Sequence, residues 1–147
     1  MNRDNTLLAL SEYPAQIQEK VRYADTDRQG HINNAVFSTL FECGRVAFLY
    51  DPKCPLAPAD SQFVIVNISI NYLAEINWPS NIHIGTGVVE VGRSSFKLRQ
   101  GLFCGEQCVA NADSVMVLMS EQDHQSTPLP ESTKAALKAL RCHSEIS

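Results

Sequence analysis

The chain has 147 residues, of which 44% are hydrophobic and 19% charged, with a formal net charge of -4. This length suits one domain with a sizeable core, and the negative balance argues against broad attraction to nucleic acid or to an anionic membrane. The opening residues MNRDNTLLALSEYP lack the apolar stretch of a signal peptide, and no apolar run reaches the length of a membrane span, so the expectation is a cytoplasmic protein with no nucleic-acid or membrane partner.

In chain order, the first strand is expected near Ile17 to Ala24. A polar cluster follows at residues 23–34, Y-A-D-T-D-R-Q-G-H-I-N-N. The spacing then predicts a helix over Ala35 to Tyr50, with Ser38, Glu42 and Arg45 forming one polar stripe on an otherwise apolar surface. A helix this apolar must be wrapped on most of its circumference. Asp51-Pro52 ends it, because proline cannot continue the hydrogen-bond ladder. After a proline-rich loop the period changes to two. Strands are predicted at Phe63 to Leu73, Ile82 to Val91, Ser95 to Phe103 and Cys108 to Met119, and these four read as an antiparallel meander. A short polar helix closes the chain at Glu131 to Cys142. The whole is α+β: a single domain over 1–147 with its core at about 13–121, in which a curved five-stranded antiparallel sheet wraps one long apolar helix.

The five cysteines, Cys43, Cys54, Cys104, Cys108 and Cys142, are odd in number and form no close metal-type pairs, which reads as free thiols. The polar cluster admits three readings. A calcium loop would need an acid or amide of the right kind at its fifth position and a glutamate at its twelfth, but Gln29 and Val36 stand there, so no metal is expected. Asn33 or Asn34 is a good helix N-cap, yet a cap needs one side chain and leaves Asp25, Asp27, Gly30 and His31 without a role. The third reading is catalytic. A helix N-terminus offers unpaired N–H groups and the positive end of the macrodipole, which stabilise charge developing on a carbonyl oxygen. A carboxylate held opposite would attack that carbonyl or activate a water.

The stretch Y-A-D-T-D-R-Q-G-H-I-N-N-A-V-F resembles the motif of the hotdog-fold thioesterases, and the group it is most similar to is the 4-hydroxybenzoyl-CoA thioesterase family. F-E-C-G-R-V-A-F-L, V-G-R-S-S-F and A-N-A-D-S-V-M-V extend the resemblance over roughly residues 16 to 120. It implies a helix wrapped by a five-stranded sheet, a homodimer or dimer of dimers with active sites at the subunit interface, and hydrolysis of an acyl-CoA to a free acid and CoA. CoA is part of the substrate, so no separate cofactor is implied. An acyl-ACP thioesterase and a non-catalytic acyl-CoA-binding or oligomerising module are the alternatives. Carried over residue by residue, the resemblance makes Asp27 the nucleophile or general base and the Asn34 backbone N–H the carbonyl-polarising donor. His31 orients Asp27 or shapes the pocket. Glu42 is a supporting carboxylate or a simple ion-pair partner of Arg45. Gly30 and Asn33 belong to the substrate-binding loop, and Arg93, Ser94 and Ser95 to the turn that would contact CoA. Phe37, Phe41, Val64 and Val66 are the apolar candidates for an acyl tunnel.

Overall fold

The computed structural model describes residues 7–142. Its elements are β1 (Ala15–Lys20), α1 (Asn34–Leu49), β2 (Ser61–Tyr72), β3 (Asn81–Val91), β4 (Ser95–Cys104), β5 (Gln107–Ser120) and α2 (Glu131–Lys138), with short 3-10 turns at Leu10–Glu12 and Tyr23–Asp25. The first strand is shorter than the sequence suggests. Its pairing with β3 runs out at Lys20 opposite Asn81, and the chain then turns through Tyr23–Asp25 into the polar cluster.

The five strands form one antiparallel sheet in the order β1-β3-β4-β5-β2. The expected four-strand meander therefore holds only for β3, β4 and β5. β2 does not pair with β3. Residues 73–80 carry the chain past the start of α1, and β2 lies on the far edge against β5. Alternation marks a strand but says nothing about its neighbour, so this crossing was invisible to the pattern of residues.

The inner face of the sheet packs on α1. Phe37, Leu40 and Phe41 of the helix meet Ile82 and Ile84 of β3, Leu102 of β4 and Ala110 and Ala112 of β5 in one buried cluster. Phe41 is fully buried, and truncating such a side chain to alanine costs about 3–5 kcal/mol. Gly44 lets the helix approach closely: a Cβ there would lie 2.7 Å from Ile84 and 2.9 Å from the Thr86 hydroxyl. A second cluster joins the end of α1 through Leu49 to Phe63, Leu98 and Leu137 of α2. α2 stops at Lys138 rather than Cys142. Residues 140–142 run beside β3 instead, where Val88 N–H donates to the Leu140 carbonyl at 2.8 Å, because β1 is too short to cover that part of the strand.

The helix surface differs from the single polar stripe that its spacing suggested. Ser38 and Glu42 are exposed, but Arg45 is buried beneath them, and Val46 and Tyr50 are exposed although apolar. The reason is placement. α1 lies over β1, β3 and β4, so one flank faces the inner surface of β2, where Ile68 and Tyr72 are exposed.

Candidate active site

The loop between β1 and α1 is built by its own acids. Asp25 is buried and accepts from the Arg22 backbone N–H at 2.8 Å and from its guanidinium at 2.8 Å. These bonds hold the Asp25 carboxyl below the usual carboxylate range, the side-chain bond contributing most. The Asp25 carbonyl accepts from Asn33 N–H at 2.9 Å, which draws the two ends of the loop together. Asp25 thus builds the loop.

Asp27 is exposed and organises the turn itself. Its Oδ1 accepts from Gln29 N–H at 2.8 Å and His31 N–H at 3.1 Å, and its own N–H donates to the His31 carbonyl at 2.8 Å. Closing so tight a turn needs Gly30, whose φ of 82° lies in the region that side chains disfavour. The turn is then zipped to residues 76–78. Ile32 N–H donates to the Ile76 carbonyl at 2.8 Å, and His31 bridges to Asn77.

Asn33 is the N-cap of α1, its Oδ1 accepting from Ala35 N–H at 3.0 Å. Asn34 is the first helical residue, so its N–H has no partner within the helix. Asp27, Gln29, His31, Ile32, Asn33, Asn34, Phe37, Tyr72, Leu73, Ala74 and Glu75 together line a cavity of about 510 Å³. A carboxylate oxygen not used by the turn, an unpaired helix N-terminus and an apolar wall therefore share one space. That arrangement suits attack on a polarised carbonyl.

Of the residues expected at the site, Asp27, His31, Asn33 and Asn34 meet at this cavity, and Gly30 shapes its loop. Glu42 stands exposed two turns along α1, outside the cavity lining. The expected ion pair between Glu42 and Arg45 is not formed among the described residues. Arg45 instead donates to Gln100 Oε1 at 3.3 Å, because its side chain turns under the helix. Arg93, Ser94 and Ser95 form the β3–β4 turn, at the end of β3 remote from His31 and roughly 33 Å along the strand. Within one chain they do not join the cavity. Phe37 lines it, Phe41 is sealed in the core, and Val64 faces the outer side of the sheet opposite Val117.

The reading of the residues missed Glu75. Its Oε1 lies 3.2 Å from His31 Nε2. A single glutamate in a loop carries no periodic signal, and only the crossing of 73–80 past the helix start brings it here. Among the described residues no three His, Cys, Asp or Glu side chains gather as a metal site.

A model of the thioesterase-like superfamily matches residues 21–137. The chain belongs to that superfamily. A Pseudomonas aeruginosa protein superposes with a TM-score of 0.82 at 23% identity, covering 93% of this chain and 98% of that one. A Thermus thermophilus thioesterase complexed with coenzyme A and zinc superposes with a TM-score of 0.74 at 25% identity, covering 88% and 95%. A DHNA-CoA thioesterase from Staphylococcus aureus does so with a TM-score of 0.76 at 18% identity, covering 86% and 91%. No curated protein matches the chain in sequence. The α+β hotdog fold implied by the D-T-D-R-Q-G-H-I-N-N stretch is the fold of this thioesterase-like chain. No helix among its described residues is long and apolar enough to cross a membrane.

Proposed function

We propose that the chain hydrolyses acyl-CoA thioesters, giving a free acid and CoA, at the cavity beside the start of α1. The observation that carries this reading is the division of Asp27. Its Oδ1 is held by two backbone N–H groups, Oδ2 takes no donor among the described residues, and Asp27 and Asn34 line the same cavity. The thioester carbonyl would take the Asn34 N–H and the positive end of the helix. Asp27 would then either draw a proton from an attacking water or attack the carbonyl itself, forming a mixed anhydride that a water then hydrolyses to release the acid and regenerate Asp27. The C–S bond breaks, CoA leaves as a thiolate and takes up a proton, and the acyl group ends as a carboxylic acid. The structurally similar Thermus thermophilus thioesterase complexed with coenzyme A supports CoA as the carrier. The charged carboxylates that line the cavity, Asp27 and Glu75, disfavour docking of an acidic carrier protein.

The active unit in this reading is a homodimer or dimer of dimers. β2 is a long edge strand without a charged residue, and Ile65, Val66 and Ile68 on it are exposed. Such an edge seeks a partner. Ser95 lies at the Val64 end of the sheet and the cavity at the Tyr72 end. Antiparallel pairing of two β2 edges would therefore turn one copy's Arg93–Ser95 hairpin towards the other copy's cavity, where Arg93 could meet CoA phosphates. The test is a panel of aliphatic and aromatic acyl-CoAs read by a thiol reagent, with the protein's own cysteines subtracted. Release of CoA supports the reading, and its absence across the panel leaves a non-catalytic binding module.

A further inference from the structure

The candidate active site carries an unbalanced charge that thioester hydrolysis alone does not call for. Asp27 and Glu75 both line the cavity, and no lysine or arginine among the described residues does. His31 is the one lining group that can become cationic, so the lining stays net negative in either state of the imidazole. Nearby basic residues do not correct this. Arg22 is paired with Asp25 at 2.8 Å, and Arg28, although it sits in the same turn as Asp27, is not part of the lining. Such a surface disfavours an acyl group that ends in a carboxylate and favours one that ends in a cation.

Glu75 is surplus to the reaction described above, in which Asp27 and the Asn34 N–H do the chemistry. Its side chain is 69% exposed, its Oε1 meets His31 Nε2 at 3.2 Å, and its Oε2 has no partner among the described residues. Three residues earlier, Tyr72 ends β2 with its side chain on the inner face of the sheet, in register with Ala110. It is 49% exposed, and its ring packs against that of Phe37 with centroids 5.2 Å apart and planes inclined by 67°. Both rings line the cavity that Glu75 lines. The face of an aromatic ring is negative and attracts a cation held within about 6 Å of its centroid. Aromatic surface beside a carboxylate is the combination that suits a quaternary ammonium group, whose methyl groups pack on rings and which has no hydrogen to donate.

We propose that the cavity selects short acyl groups with a cationic end, above all trimethylammonio-acyl thioesters, with Tyr72 and Phe37 contacting the methyl groups and Glu75 supplying the counter-charge. This rests on the thioesterase reading of the cavity. Glu75, Asp27 and Asn34 share one space of about 510 Å³, so the cation sits only a few bonds from the thioester and the acyl chain is short. The CoA phosphates lie at the other end of the substrate, where the Arg93 of a second copy would meet them. Product release fits the same charge pattern. A carboxylate freed beside Glu75 is repelled, whereas an acid that keeps its ammonium group leaves as a neutral zwitterion.

The test uses three short acyl-CoAs of one length: a trimethylammonio member, its tert-butyl isostere in which carbon replaces the nitrogen, and a carboxylate-ended member. A neutral phenol-ended acyl-CoA is the fourth. Turnover is followed by CoA release, and affinity by calorimetry on the wild type with analogues that carry a methylene between sulfur and carbonyl and resist hydrolysis. The cationic member should exceed its isostere by about 5- to 30-fold in kcat/KM and in affinity, with the carboxylate-ended member below both. Tyr72→Leu should cut the cationic preference by about 3- to 10-fold and Glu75→Gln by about 2- to 5-fold, while Tyr72→Phe should keep it. Glu75 is exposed and glutamine has its shape, so Glu75→Gln carries the test if Tyr72→Leu does not fold. Equal handling of the cationic member and its isostere by the wild type overturns the proposal, as does a preference unchanged by Glu75→Gln and Tyr72→Leu. So does a phenol-ended member favoured over the cationic one, since Glu75 would then accept its hydroxyl. Hydrolysis without charge preference sinks this inference and leaves the thioesterase reading standing. Preferential binding of the cationic analogue without hydrolysis of any member supports the Glu75 and Tyr72 assignment and sinks that reading. Neither binding nor hydrolysis of any member overturns both.

Discussion

The His31 ring meets Glu75 and makes no hydrogen bond to Asp27 among the described residues. Its Nε2 lies 3.2 Å from Glu75 Oε1, while its backbone N–H is what holds Asp27 Oδ1, at 3.1 Å. The turn therefore fixes Asp27 through main-chain groups, and the two side chains have separable tasks.

Asp27→Asn tests the first of them. The amide keeps an Oδ1 acceptor for the Gln29 and His31 N–H groups, so the turn should persist. Its nitrogen can neither attack a carbonyl nor take a proton. Turnover should fall about 100- to 10,000-fold, measured as CoA release, with the thermal melt nearly unmoved. An unaltered rate would remove Asp27 from the chemistry.

His31→Ala tests the second. The backbone N–H that anchors Asp27 survives, and what is lost is a half-exposed contact with Glu75. Contacts of that kind are worth up to about 1 kcal/mol, so kcat should drop less than about 10-fold. A loss as large as that of Asp27→Asn would show that the imidazole takes part in proton transfer.

Gly44→Ala tests how closely α1 seats on the sheet. Alanine suits a helix better than glycine by about 1 kcal/mol, but the new methyl would meet Ile84 at 2.7 Å, the Gln100 amide at 2.8 Å and the Thr86 hydroxyl at 2.9 Å. Overpacking typically costs about 1–3 kcal/mol. Ile84 and Thr86 are short branched side chains on a central strand and cannot swing aside, so the clash should win. The expected result is a Tm lowered by roughly 2–8 °C in calorimetry. A raised Tm would mean that the helix shifts without penalty.

Much of this architecture was legible in the residues. The apolar face of α1, the alternation of β2 to β5 and the D-T-D-R-Q-G-H-I-N-N turn each have local signatures, because side-chain periodicity and turn chemistry are local. What escaped depended on contacts distant in the chain. Ser38, Glu42 and Arg45 share a stripe by spacing, but only the position of α1 over β1, β3 and β4 decides that Arg45 alone is buried. Glu75 joins His31, and β2 leaves its expected neighbour β3, through the same crossing of 73–80. Arg93, Ser94 and Ser95 lie outside the cavity within one chain, so the role proposed for them requires a second copy.

Acid should expose the role of Asp25. The Arg22 guanidinium and backbone N–H hold its folded pKa below the unfolded value of about 3.9. The unfolded chain therefore binds a proton at that carboxyl first as the pH falls. The stability it contributes is complete above the unfolded value and is lost as pH falls from there through the folded one. The Tm gap between wild type and Asp25→Asn should be level from about pH 8 to 5 and shrink below about pH 4. Arg22 is exposed, so the gap should be modest. A gap that widens in acid would assign the shift to another group.

The edge of β2 offers a test of assembly and activity together. Val66 is 56% exposed in a single chain and sits at the register shift between Ile65 and Asn67, on a strand whose outer side has no neighbour in the sheet. A lysine there places a charge where a second edge would have to dock, a device that natural sheets use to keep edges apart. Inside a single chain it costs little, because the position already meets solvent. Val66→Lys should therefore leave the fold's circular dichroism intact while light scattering reports single chains. If the Arg93–Ser95 turn of one copy serves the cavity of another, KM for an acyl-CoA should rise with dissociation, while a short pantetheine thioester that lacks the nucleotide should be affected less. Single chains with unchanged KM would confine the whole site to one copy, and an intact oligomer would place the interface on another face.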